Sequence, residues 1–565
     1  MKRKTAALIL AALMSMSLIA GCGASEEKAA ETPAAAESGV TEEAEVTEET
    51  ATTEEAEATE EAEATEEAEA TEEAETTEEA ETTEAEDDEE DEEAEISAVV
   101  MCLSPIDEGV SEHVEKALNE ITQSKLNVTV DFTWMDAANY MSQVPMMLQS
   151  GEAVDLIMFT PMPATSYQSF MNQRQLMDIT DYLDEYGQDI MAQMKDYLKA
   201  TSRDDRVYGV GNMPVLDAKV AIDMRGDVLE ELGLTDAARN AKSFDDIEEI
   251  LKKVTENTDL NGLINSDAEG GVLLPQPFLL GEGDFSNAEW VDTVGDGYQY
   301  VYADMADNKV KNYFASEKFL QTARMTRKFY DEGLIYKDAA TANEYGAILI
   351  QNEVGFAMAH QVEMGNETIQ SAATGFPDVE VDITDGLVAT RAFQKFGFAV
   401  PVMSDDPEAA VKVLNLLWSD QEFMDTLTWG VEGTDWVKKD DGTAAFPEGS
   451  NGEGLYHTSD FLYGNKLAIT PWEGDGADIR ERQAAANDAM EMSPYFGFSV
   501  DSAPVDSQIV AVKNVVDKYK PGLGAGIYED VDGTVEAMIS EMDAAGMQDI
   551  INEYQKQLDA WLAAQ

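Results

Sequence analysis

Cysteine is nearly absent: Cys22 and Cys102 are the only two in 565 residues. That excludes a disulfide-stapled scaffold and a zinc site built on cysteines. Three scattered histidines leave little room for a histidine-based metal centre. Positive charge is scarce as well, with 36 lysines and arginines against 115 acidic residues and a formal net charge of -79. Phosphate recognition runs on an excess of lysine and arginine, so no nucleic-acid partner is expected. Beyond residue 95 no run of about eighteen apolar residues occurs, so that part does not re-enter a membrane. What the chain does have is length: at roughly 100–200 residues per domain it holds two or three domains with sizeable cores.

The N-terminus opens on Lys2, Arg3 and Lys4, followed by an apolar run from Thr5 through Ala20. The run is too short to span a bilayer comfortably and ends in small residues, the pattern of a secretory signal. Ile19-Ala20-Gly21-Cys22 resembles the bacterial lipobox. The resemblance implies that residues 1–21 are a signal peptide and that Cys22 becomes residue one, carrying a diacylglyceryl thioether. Each buried lipid CH₂ contributes roughly 0.8 kcal/mol, so two or three acyl chains, palmitate among them, hold far more firmly than one. The mature protein is expected on the extracellular face of the bacterial cell membrane, anchored by lipid.

Residues 22–95 lack aromatics altogether and carry 34 acidic residues against one lysine, Lys28. Thr53, Thr59, Thr65, Thr71, Thr77 and Thr83 mark a six-residue repeat, TEEAEA or TEEAET. Such a stretch buries too little apolar surface to offset chain entropy, so a disordered tether is expected. Glutamate and alanine favour helix, but the repeat sets carboxylates four apart, as at Glu57 and Glu61, where they repel. The bland reading is a spacer; the sharper one is a sponge for cations or a partner.

Residues 96–565 hold the secondary-structure patterns. Ile96–Leu103 reads as a strand, Glu112–Ser124 as a helix, Val128–Trp134 as a strand, Asn139–Gln149 as a helix and Val154–Phe159 as a short buried strand. This alternation predicts a mostly parallel sheet covered by helices, with ligands outside the carboxyl ends of its strands. Ser104, Trp134 and Thr160-Pro161-Met162 lie at those ends. Cys102, inside the first strand, is expected as a small buried hydrophobe. Arg206–Asn212 reads as a hairpin strand leading to Val220-Ala221-Ile222, and further helices fit Gly226–Gly233, Ser243–Glu256, Glu317–Glu332, Pro407–Asp420 and Gln421–Leu427. Two amphipathic helices, Val535–Ala545 and Met547–Ala563, close the chain.

Several segments, in order, resemble the extracellular solute-binding lipoproteins of ABC importers, in particular the carbohydrate-type family 1 group with a DUF3502 C-terminal domain. Ser150-Gly151-Glu152-Ala153-Val154-Asp155-Leu156 resembles an "SGE-x-x-DL" turn, and Leu176–Leu183 an "L-x-DLTDYL" segment. Val207-Tyr208-Gly209-Val210 resembles "YG(V/I)P", with Gly211 where proline is usual. Ser404–Ala410 resembles "S-x-x-PE-A", and Trp429-Gly430-Val431-Glu432-Gly433 resembles "YG-x-EG". Phe496–Asp501, Pro504-Val505 and Tyr554–Asp559 resemble the DUF3502 signature, placing that part at about 490–565. The resemblance implies an α/β, two-lobed periplasmic-binding-protein-like fold (type II-like), with a hinge and an interlobe cleft over residues 96–565. It also implies a small-molecule solute, an oligosaccharide foremost, and ABC permease subunits as partners.

For a sugar, the expected chemistry is an aromatic face against the apolar face of the ring, with carboxylates and amides on the hydroxyls. Trp134, Trp429 and Trp472 are the aromatic candidates; Asp136, Tyr208, Asn212 and Glu432 are the polar ones. Trp436 shares their loop-like context, whereas Trp418 and Trp561 fit packing better. No catalytic residue, cofactor or metal is expected, and a monomer is. Asp440-Asp441-Gly442 and Asp259–Gly262 lack the full EF-hand spacing and fit turns. Two alternatives stand beside import: a surface glycan-binding adhesin or scaffold, and an extracellular glycosidase, for which 81 acids in the folded part nominate any pair of carboxylates and therefore none.

Overall fold

The computed structural model describes residues 93–103, 105–216, 218–264, 278–342 and 344–565. The expected signal peptide, Cys22, nearly all of the acidic tether and Ser104 lie outside the described residues.

The first lobe begins with β1 (Ala94–Cys102), helix Glu108–Leu126, β2 (Val128–Asp136), helix Ala137–Ser150 and β3 (Leu156–Phe159). β1 is parallel to β2, in register from Ala94 on Val128 to Cys102 on Asp136, and parallel to β3 on its other side. Residues 98–102 are all buried, the near-continuous apolar run of a parallel strand covered on both faces. The two helices stop where left-handed residues cap them, Asn127 at φ 56° and Gly151 at φ 77°. The Tyr140 hydroxyl donates to the Met158 carbonyl and accepts from the Met158 N–H, both at 2.7 Å, fixing the second helix on β3.

The chain then adds β4 (Val210–Gly211) to this lobe and crosses into the second, made of β5 (Lys219–Arg225), β6 (Asn261–Leu263), β7 (Gly355–Val362) and β8 (Asp378–Asp382). It returns to supply β9 (Gly397–Ala399). The first sheet has the order β2-β1-β3-β9-β4 and the second β8-β5-β7-β6. β9 runs antiparallel to both β3 and β4, so it alone opposes the other four strands, and β4 points the same way as β1, β2 and β3.

The expected hairpin strand over Arg206–Asn212 is divided. Arg206–Val207 pairs with Ser202–Arg203, Val210–Gly211 joins the first sheet, and Val220–Ile222 belongs to the second lobe. Glycine explains the division. A Cβ on Gly211 would stand 2.1 Å from the Phe393 carbonyl oxygen, and one on Gly397 2.4 Å from the Val210 oxygen. The backbones therefore meet more closely than side chains allow.

The second lobe packs Val220, Ile222, Met224 and Phe356 of its sheet against Ile247 and Leu251 of helix Phe244–Asn257. That helix starts at Ser243, whose hydroxyl accepts from the Asp246 N–H at 3.2 Å. A further core joins the hairpin Val301–Asp304/Lys309–Asn312 to helices Asp506–Gly524, Val531–Ala544 and Met547–Ala564.

Candidate functional site: stacked rings and charged residues at the lobe junction

Three segments, 212–219, 383–397 and 470–495, connect the two lobes, and they are stitched to one another. Asn212 N–H donates to Phe396 O and Met213 N–H to Gly464 O, each at 2.9 Å. Helix Ile479–Ala489 lies over the crossings: Asn487 accepts from Leu216 N–H at 2.6 Å and donates to Pro214 O at 3.0 Å. Val388 and Ser493 complete the stitching, Ser493 N–H donating to Val388 O at 2.8 Å.

Beside this hinge the first lobe builds an aromatic wall. Helix Gln421–Trp429 places Asp425 so that its carboxylate accepts from both N–H and Oγ1 of Thr470, each at 2.7 Å. Trp429 Nε1 donates to Thr470 O at 2.9 Å. Pro471-Trp472-Glu473 is thereby fixed, and Ala444 pairs with it from the other side through two 2.7 Å backbone bonds. The Trp429 and Trp472 rings lie 4.9 Å apart, and His457 stacks on Trp429 at 4.7 Å and 20° while meeting Trp472 edge-on at 4.5 Å. Phe446 closes the group, 4.9 Å from Trp472. Burial pushes the His457 imidazole down to about 4, so it is neutral at pH 7 and its Nδ1 is buried without a hydrogen-bond partner.

Below the rings runs a row of charges that spans the lobes. Asp460 takes Arg480 at 2.8 Å and Lys466 at 3.3 Å. Lys466, with only 3% of its side chain exposed, also pairs with Glu363, just past the end of β7 in the second lobe. Burial opposes ionisation of Asp460, but Lys466 and Arg480 hold its carboxyl down at about 2. Asp475, crowded by burial and by Asp460, is pushed up to about 6. Further contacts cross the junction: Gln483 Nε2 donates to Met364 O at 3.0 Å, Thr368 Oγ1 to Gly474 O at 3.3 Å, and Lys395 Nζ to Gln361 Oε1 at 3.4 Å.

The structure brings together Trp429 and Trp472 among the residues singled out in the sequence, the first buried and the second half-buried. Trp134 stands apart, half-buried at the end of β2, its Nε1 donating to the Tyr456 hydroxyl at 3.2 Å. Asp136 is the N-cap of helix Ala137–Ser150, accepting from the N–H groups of Ala138 and Asn139. Tyr208 is half-buried on the first-lobe core. Asn212 is part of the hinge, its amide donating to Phe461 O and Leu462 O while Oδ1 is buried without a hydrogen-bond partner. Glu432 is exposed on a turn that Asp435 fastens by accepting from Val431 N–H at 2.8 Å. Of the loop at Asp440-Asp441-Gly442, Asp441 accepts from N–H and Oγ1 of Thr443, an ordinary side-chain turn.

His457, Phe446 and the charged row were not singled out in the sequence. A lone histidine carries no spacing signal, and the charges come from residues 363 to 480, joined only by the crossings.

Residues 107–422, more than half the chain, match the bacterial extracellular solute-binding protein family, and the chain belongs to it. Residues 494–563 match the domain of unknown function DUF3502. Among characterised relatives, a carbohydrate ABC transporter substrate-binding protein of Streptococcus pneumoniae is 22% identical over 452 residues, covering 79% of this chain and 87% of its own. Lipoprotein LipO of Bacillus subtilis is 25% identical over 361 residues, 61% of this chain and 68% of its own. The N-glycan transport solute binding protein NgtS of S. pneumoniae superposes with a TM-score of 0.72 at 20% identity, over 83% of this chain and 99% of that one. Its complex with Man1GlcNAc superposes with a TM-score of 0.65.

Proposed function

We propose that this protein captures an oligosaccharide between its lobes and delivers it unaltered to an ABC importer, held at the extracellular face of the membrane by lipid on Cys22. The observation that carries the reading is the aromatic wall of Trp429, His457, Trp472 and Phe446 beside a stitched hinge. Ring faces suit the apolar C–H faces of pyranoses, and the polar row below suits their hydroxyls. Two lobes on a hinge also provide what a carrier needs, a closure that the ligand biases and that reverses on release. The relatives named for carbohydrate and N-glycan transport support the choice of ligand class, and the lipoprotein relative supports the anchor.

Titration calorimetry against mannose- and N-acetylglucosamine-containing oligosaccharides tests the reading. Binding with the sugar recovered intact, weakened at least tenfold in Trp472→Ala, is expected; a hydrolysed sugar or an unchanged affinity in the variant counts against it. For the anchor, palmitate label should appear on the wild type and vanish in Cys22→Ala.

A further inference from the structure

Among the described residues, Lys395 at the lobe junction is an ammonium with no carboxylate in ion-pair contact. Lys466 and Arg480 both have carboxylate partners. Lys395 forms no ion pair among the described residues, and its ammonium reaches only the Gln361 amide oxygen at a long 3.4 Å. Other lysines without an ion pair, such as Lys195, Lys199 and Lys438, stand in water, where an ammonium is solvated at no cost. Lys395 is half-buried. Burial, with repulsion from Arg391, brings its pKa down to about 8 despite the nearby Glu363. A desolvated charge is unfavourable until a counter-ion arrives.

Its position fits a ligand contact. Lys395 comes from the crossing segment of the first lobe and Gln361 from β7 of the second, so the ammonium sits where closure brings the lobes together. The neighbouring Phe396 ring lies 5.6 Å from Phe461, which follows Asp460 in the charged row and stands four residues from His457 in the aromatic wall. That contact ties the segment carrying Lys395 to the segment carrying Asp460 and His457. Glu363, Asp460 and Asp475 nearby disfavour a doubly charged phosphate, whereas one carboxylate matches one ammonium.

We propose that the ligand is an oligosaccharide bearing a carboxylate, a uronic-acid-type sugar, and that Lys395 selects it by pairing with that carboxylate as the lobes close. The inference rests on the saccharide reading above and narrows it.

The test uses the purified chain and a panel of uronate-containing tetrasaccharides, each beside its carboxyl-reduced neutral form, so that only the charge differs. Calorimetry should give at least a tenfold preference for the acidic form. Lys395→Met should bring that ratio close to one, and Lys395→Arg should keep most of it. With the ligand-free ammonium titrating near 8, affinity for the acidic form should fall toward tenfold per pH unit above that point. The melting temperature of ligand-free Lys395→Met should equal or exceed that of the wild type, because a half-buried charge without an ion pair is removed. Equal affinity for the two forms, or a preference untouched by Lys395→Met, overturns the assignment and leaves the saccharide reading standing. Binding of neither form, together with binding of a peptide or another solute class, overturns both.

Discussion

At Trp429 the indole N–H is committed to the Thr470 carbonyl and one ring face to His457, so this residue holds the wall as well as forming part of it. Trp429→Phe should lower stability by about 1–2 kcal/mol in urea denaturation, from the lost buried hydrogen bond and ring contact. His457 offers a pH readout. Its folded pKa, about 4, lies below the ordinary 6.5 because burial disfavours the cation. The unfolded chain therefore takes up a proton on this ring between those values and the folded one does not. The stabilisation is complete above about pH 6.5 and is lost as pH falls through about 4, at most about 3 kcal/mol. NMR titration of the His457 ring should give an apparent pKa near 4, and His457→Phe should flatten the melting temperature over that window. Cys102 is pushed up to about 12 by burial and by Asp136, so it should resist iodoacetamide at pH 8 until denaturant is added, read as a mass shift. The buried Cys102 and the aromatic pair were legible in the sequence, because an apolar strand hides a thiol and a Pro-Trp-Glu loop presents an indole. His457 was not, since its role comes from ring neighbours at 429, 446 and 472 rather than from its own context.

At the scale of elements, capping accounts for several boundaries. Asp136→Ala should cost about 1 kcal/mol by removing the N-cap of helix Ala137–Ser150. A sugar affinity shifted more than twofold in the same variant would show that the carboxylate also meets ligand. Most helices were legible from their 3.6-residue period and caps, Phe244–Asn257 and Pro407–Ser419 among them. Asp506–Gly524 escaped notice, because Ile509-Val510-Ala511-Val512 blurs the period and Pro521 with Gly522 suggests a break. Gly522 is there for space, a Cβ at that position falling 2.4 Å from the Tyr528 ring. The two strand segments around Gly209 were legible as extended, but the partner of Val210–Gly211 was not, since it is β9, nearly two hundred residues later.

Across the whole molecule, the Lys466–Glu363 pair, its lysine buried and its carboxylate half-buried, joins the lobes next to the hinge. Removing the lysine leaves Glu363 in partial contact with water and Asp460 with Arg480 alone, a cost of about 1–3 kcal/mol. Lys466→Met should therefore favour the separated-lobe form, seen as a larger radius of gyration in small-angle scattering and as weaker sugar binding. The two-lobed class was legible from the order of short motifs. The cluster at the lobe junction was not, because separate crossings assemble it and no local pattern encodes which side chains meet there.

Those crossings also govern how the polypeptide can mature. The sheet of the first lobe lacks its fourth neighbour until residues 397–399 are present, and its aromatic wall lacks a member until Trp472 is. As the chain is made from its N-terminus, the second-lobe sheet has all its strands by residue 382, whereas the first lobe must wait for β9, since long-range pairings form slowly and only when both partners exist. The lobe begun first is thus the one finished last, and its early strands stay pliable until the middle of the chain has been made.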